Sequence, residues 1–182
     1  MLHNKKVLWT ISLFIVFLLL PVTLYIAQTK QVTTQHASFL SGNNTNLIYF
    51  YPSEDTVSGN QPLIVNVRTV TRESINAIQA NIHYPAQLLH VTNITYDGSS
   101  FDIQAEEKRM PGLIKIARGV INPVSGDNLI ATITFTPIAI NSSIASLSFT
   151  NGTAVVDSTR SQNILEKTAT AVYNLVPSQT SP

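Results

Sequence analysis

The chain has 182 residues, 44% of them hydrophobic, with 11 Lys/Arg, 10 Asp/Glu and no cysteine. Without cysteine neither a disulfide framework nor a thiolate metal site is open to it, so a packed apolar core must hold it together. Formal net charge is +1, but residues 31–182 carry eight Lys/Arg against ten Asp/Glu; the basic stripe of a nucleic-acid binder is missing, and no nucleic acid is expected among its partners.

Residues 1–6 are a short N-terminus in which Lys5 and Lys6 precede an uncharged apolar run from Val7 to Ala27. At a rise of about 1.5 Å per residue this run gives a helix of roughly 31 Å, enough to cross a hydrocarbon core. The segment 7–27 is therefore expected to be a transmembrane signal anchor. The two lysines place the N-terminus in the cytoplasm and the rest outside, a single-pass cell-membrane protein. Pro21 would kink the span without preventing it. A cleavable signal peptide is the alternative. Cleavage after Ala27 would put Tyr25 at the third-last position, where a small residue is needed, and this favours the uncleaved anchor. Residues 28–46, rich in Thr, Asn, Gln and Ser, read as a polar linker, and 177–182 as a flexible tail.

Between them, over 47–176, the pattern is one of strands. Leu47–Tyr51 is an apolar and aromatic run ended by Pro52. Leu63, Val65, Val67 and Thr69 alternate with Ile64, Asn66 and Arg68, and Ile78, Ala80, Ile82 and Tyr84 alternate with Gln79, Asn81 and His83, the period of two that defines a strand. Leu88–Tyr96 is β-branched and aromatic with a slip in phase that suggests a bulge. Phe101–Glu106 is a weaker strand, and Glu106–Met110 allows one turn of helix. Leu113–Arg118, Leu129–Thr136, Ile144–Thr150, Thr153–Val156 and Thr168–Val176 complete the set. Leu129, Ala131, Ile133 and Phe135 are expected to face inward, and Thr132, Thr134 and Thr136 outward. Turn signals separate the strands at Ser58-Gly59-Asn60, Asp97-Gly98, Pro111-Gly112, Ser125-Gly126-Asp127 and Asn151-Gly152. About nine short strands at this spacing predict an all-β sandwich or jelly roll.

From Leu47 to Val176 the order of motifs resembles a cohesin domain, the jelly-roll module that receives dockerins in cellulosome-type assemblies. The segments that carry the resemblance are VSGNQPLIVNVRTVT (57–71), INAIQANIHYPAQLLHVTNITYDGSSF (75–101), PGLIKIARG (111–119) with GDNLIATITFTP (126–137), and AVVDSTRSQNIL (154–165). Most of these residues are structural: Gly59, Gly98 and Gly112 supply turn conformations, and Tyr84 and Phe135 fill a core. The resemblance implies a cohesin-like jelly-roll β-sandwich and a protein partner, dockerin-like or another envelope protein, docked flat on one sheet face. On that face it implies contact residues Gln79, Asn81 and His83 on the third strand and Glu106 near the fifth. Lys115 on the sixth, and Ser146 and Ser148 on the eighth, complete the implied set.

No residue set carries catalysis. His83 and His90 lie seven apart with no third ligand at metal spacing, which reads as two surface histidines. The adjacent carboxylates Glu54-Asp55 and Glu106-Glu107 point to opposite faces of a strand and make poor acid–base pairs. Asp97–Asp102 lacks the alternating oxygen ligands of a calcium loop and reads as a turn. Asp157 with Asn163 reads as Asx-type turn bonding before calcium. The Asn-x-Ser/Thr triplets at Asn43, Asn93, Asn141 and Asn151 are as many as an Asn- and Thr-rich chain produces by chance. No metal, cofactor or enzymatic activity is expected. Three function classes stay open: protein recognition, polysaccharide binding with Tyr49, Tyr51, Tyr96 and Tyr173 as candidate platforms, and a structural or adhesive spacer.

Overall fold

The computed structural model describes residues 45–59, 61–138 and 141–177. The expected membrane span over 7–27, nearly all of the linker and most of the tail lie outside the described residues. Among the described residues no helix is long and apolar enough to cross a membrane.

Ten strands are present: β1 Leu47–Tyr51, β2 Glu54–Ser58, β3 Leu63–His83, β4 Leu89–Thr95, β5 Ile103–Met110, β6 Leu113–Pro137, β7 Ser143–Phe149, β8 Ala154–Asp157, β9 Lys167–Thr168 and β10 Ala171–Val176. The two long ones organise the rest. β3 and β6 pair antiparallel from Leu63↔Phe135 to His83↔Leu113, with register shifts at Val67/Arg68, Thr71/Ile75 and Ile75/Ala77. Such shifts bend a strand and increase its twist, so each long strand leaves one sheet and continues in the other.

One layer has the order β9-β1-β3-β6-β4, using the first half of β3 and the second half of β6. In the other layer β2, β10 and β7 lead to the second half of β3, then the first half of β6, then β5. There β8 continues the line of β7 along β3. The layers meet through alternate residues: Phe50 of β1 stacks on Phe149 of β7 at 4.3 Å between ring centroids, and Tyr84 packs against Phe135 at 5.5 Å. Val65, Val67, Ile82, Ile116, Ile133 and Leu147 lie between them with no exposed surface.

Several expectations are corrected here. The runs 63–69 and 77–84 belong to one strand, as do 113–118 and 129–136, because the Ser125-Gly126-Asp127 turn signal is spent on a bend inside β6. Gly126 provides that bend with φ 79°. Glu106–Met110 is strand, not helix, since its backbone completes the ladder with β6. In the second half of β6, Ile130 faces the core in place of Leu129, because Val67 pairs with Ala131 while Arg68 pairs with Leu129 and leaves one residue extra. β2 has no apolar alternation to announce it. Pro52 ends β1 at the switch between layers, and its carbonyl accepts the buried Tyr173 hydroxyl at 2.6 Å. β2 then pairs parallel with β10.

Candidate functional site

The second layer presents an outer face whose composition follows from strand phase. Ile78, Ala80, Ile82, Ile114 and Ile116 point into the core, so their alternates point out. Across β8, β3, β6 and β5 these alternates form rows. The first row is Val156, Ala77, Gly119 and Ile103; the second is Ala154, Gln79, Ala117 and Glu106. The third is Asn81, Lys115 and Lys108. The fourth, which passes to β7, is Ser148, His83, Leu113 and Met110. Ser146 lies on β7 beside Val172 of β10, and Ile144 lies beside Asn174. All seven residues that the cohesin resemblance implies therefore share one sheet face.

One of them is not available to a partner. Asn81 is 4% exposed because the Thr150–Thr153 turn between β7 and β8 folds over it. Its amide Nδ2 donates to the Asn151 carbonyl at 2.8 Å, and its backbone N–H donates to the Thr153 hydroxyl at 3.2 Å. The Thr150 N–H donates to the Asn81 carbonyl at 2.8 Å. Gly152 sits directly on the amide: a Cβ there would lie 2.6 Å from Asn81 Nδ2, and φ is +88°. Both facts require glycine. The expected open polar plateau is thus divided by a small ridge at its centre. An arginine at position 81 would have to displace the turn, so that substitution is a structural change and not a surface one.

Sequence reasoning missed most of the apolar part. Ala77, Ala117, Gly119, Ala154 and Val156 make a low shelf on one side of the ridge, bordered by Ile103, 46% exposed. Phase alone could have found Leu113 and Ala117 from Lys115. Lys108 and Met110 were hidden because β5 runs four residues further than its apolar content suggests.

Charges on this layer are mostly paired. Glu106 faces outward to Lys108 at 3.0 Å, while Glu107 turns to the other side. There the Tyr96 hydroxyl donates to Glu107 Oε2 at 2.6 Å, and Arg109 lies 2.7 Å from Oε1. Burial pushes the Glu107 carboxyl up, but these two donors outweigh it and hold it below the ordinary carboxylate range. Arg118, 6% exposed, donates to the Phe101 carbonyl and stacks over the Tyr96 ring at 3.8 Å. Burial first, then Glu107, raises the Tyr96 hydroxyl far above its ordinary value. This cluster seals the β5 edge of the core. Lys115, half-buried, has no ion-pair partner among the described residues.

The other singled-out residues are dispersed. His83 is on this face, whereas His90 is on β4 of the other layer. Asp157 Oδ1 accepts the backbone N–H groups of Thr159 and Arg160, and Oδ2 accepts Arg160 Nε at 2.7 Å. Asn163 Oδ1 accepts the N–H groups of Val155 and Leu165. That is turn bonding, as expected. In the 97–102 loop the Thr95 hydroxyl donates to Asp97, and Ser99 bonds the backbone of Leu129 and Ile130. Among the described residues no three His, Asp or Glu side chains gather where a metal could be held. Tyr173 is fully buried and Tyr96 is half-buried, which leaves Tyr49 and Tyr51 outward on the first layer.

No protein-family model matches the sequence, and no curated protein matches it significantly. Solved structures do match the fold. The chain is similar to a non-cellulosomal cohesin from the hyperthermophilic archaeon Archaeoglobus fulgidus, with a TM-score of 0.61 at 17% identity over 72% of this chain and 91% of that one. It is similar to the sixth cohesin of scaffoldin B from Acetivibrio cellulolyticus, solved with a Cel5 dockerin, with a TM-score of 0.60 at 19% identity over 72% of this chain and 99% of that one. A type I cohesin from Clostridium thermocellum, Coh-OlpA, solved with the dockerin Doc918, gives 0.59 at 15% identity over 73% and 100%. The described residues have the cohesin fold, an all-β jelly-roll-like sandwich.

Proposed function

We propose that this chain is a membrane-tethered, extracytoplasmic cohesin-like module that recognises a protein partner, dockerin-like or another envelope protein, through the outer face of β8, β7, β3, β6 and β5. The observation that carries this reading is the face itself. Small residues at Ala77, Ala117, Gly119 and Ala154 make it flat, exposed apolar residues lie at its β5 border, and Lys115 offers a charge with no ion pair of its own. A flat, low surface suits a rigid partner element, because packing at an interface centre excludes water while polar groups at the rim fix orientation. The likeness to cohesins solved with dockerins supports the same side of the sandwich. The tether rests on Lys5, Lys6 and the apolar run Val7–Ala27. A catalytic reading has no support among the described residues: Glu106 and Glu107 face opposite ways, and His83 and His90 sit on different layers.

A photo-crosslinking amino acid at position 117 of the full chain tests it in the native membrane. A crosslinked protein adduct is expected from position 117 and none from position 134 on the opposite layer. Adducts from 134 alone would place recognition on the other sheet.

A further inference from the structure

The first layer also has an outer face, and its chemistry is different. Tyr51, Asn66, Thr132 and Thr95 lie in one row across β1, β3, β6 and β4, and Ile64, Thr134 and Asn93 lie in the next. Four strands at a spacing of about 4.8 Å make this row about 14 Å long. One end is apolar: Tyr51 is 45% and Ile64 53% exposed. The remainder is neutral and hydrogen-bonding. The Thr132 hydroxyl donates to Asn66 Oδ1 at 2.8 Å, which leaves the Asn66 amide N–H groups for another acceptor. The Thr134 hydroxyl and the Asn93 amide stand beside them.

These two rows contain no Asp, Glu, Lys or Arg. The charges at the Tyr49 end of the face are spent on each other. Arg68 pairs with Asp127 at 3.1 Å, and the Tyr49 hydroxyl donates to the same carboxylate at 2.9 Å. Burial, helped by Asp127, pushes the Tyr49 hydroxyl up to about 12.

From this arrangement we infer that the first layer binds an extended, uncharged polysaccharide along the Tyr51–Thr95 row. A pyranose ring has an apolar C–H face and a rim of hydroxyls. The Tyr51 ring with Ile64 offers the flat apolar surface for the first, and Asn66, Thr132, Thr134 and Asn93 offer donors and acceptors for the second. An acidic glycan would need uncommitted cations, and Arg68 is committed to Asp127. A protein partner would want an apolar centre with a polar rim; here the apolar part lies at one end and the centre is polar. The glycan site is on the layer opposite the proposed protein face, so the two readings stand or fall separately.

Affinity electrophoresis of the full chain in mild detergent tests the inference. The gels carry hydroxyethylcellulose, glucomannan, dextran or anionic polygalacturonate, and sedimentation with cellulose and chitin covers insoluble chains. Retardation or co-sedimentation by at least one neutral polysaccharide is expected. Tyr51→Ala should weaken it about tenfold or more, as loss of a central aromatic anchor does. Tyr51→Phe should retain binding, and Ser146→Arg on the opposite layer should not alter it. Thr134→Asp, which adds an exposed charge without removing a core group, serves as a second variant if Tyr51→Ala fails to fold, and it should also abolish binding. Failure of every neutral polysaccharide, binding to polygalacturonate alone, or wild-type affinity in both Tyr51→Ala and Thr134→Asp would overturn the proposal.

Discussion

Asp157 closes the loop that leads from β8 toward β9, and it is 1% exposed. The Arg160 backbone N–H is the main cause that lowers its pKa from the ordinary 3.8, with the Arg160 guanidinium and the Thr159 N–H adding to it against the cost of burial. The folded value thus lies below the unfolded one. Its stabilising contribution is present above the unfolded value and is lost as pH falls through the folded one. Asp157→Asn keeps the shape and gives up the charge. Its melting temperature should fall below wild type at pH 7, and the gap should close as both are titrated below pH 3.8. A gap that persists in strong acid would show that shape, not charge, is what the residue supplies. This turn was legible in the sequence because an Asx turn is local: Asp157, Thr159 and Arg160 are neighbours in the chain. Asn81 was legible only in phase. What covers it comes from residues about seventy positions later, and no pattern around position 81 records that.

At the level of elements, the two long strands carry the core. Ile133 pairs with Val65 on one side and Ile94 on the other, with no exposed surface. Ile133→Asp would forgo burial worth about 2 kcal/mol and leave a charge with no partner, at a further cost of several kcal/mol. Set against a typical stability of about 5–15 kcal/mol, the variant should be largely unfolded at 37 °C, by circular dichroism and by loss of dispersed methyl signals. A native-like spectrum would show that β6 can slip its register. Alternation located Ile133 and Phe135 but misassigned Leu129, because a single extra residue opposite Val67/Arg68 reverses the phase on one side of the bulge. The period of two also carries no information about which strands fuse. Runs 113–118 and 129–136 look separate since the intervening residues, Gly119–Asn128, bridge the layers where neither face is fully buried.

For the whole molecule, the amino-acid pattern over 47–176 was enough to expect a cohesin-like sandwich, because turns and alternation recur throughout. Orientation toward the membrane rests instead on Lys5, Lys6 and the run that follows. Protease added to intact cells should digest the region 45–177 once it is thermally loosened, while an epitope at residues 1–6 stays protected. A released product beginning near Gln28 would overturn the anchor. The parallel pairs described above have a further bearing on how the chain reaches its native state. β1 is hydrogen-bonded to β9 through Leu47↔Lys167, and β2 to β10 through Glu54↔Val172. The first strands to emerge during synthesis thus wait for the last, across loops of more than a hundred residues whose closure entropy must be met before those contacts form. An N-terminal segment of the sandwich has no complete core to fold onto. The domain is committed to staying open, and exportable, until its final strand has left the ribosome.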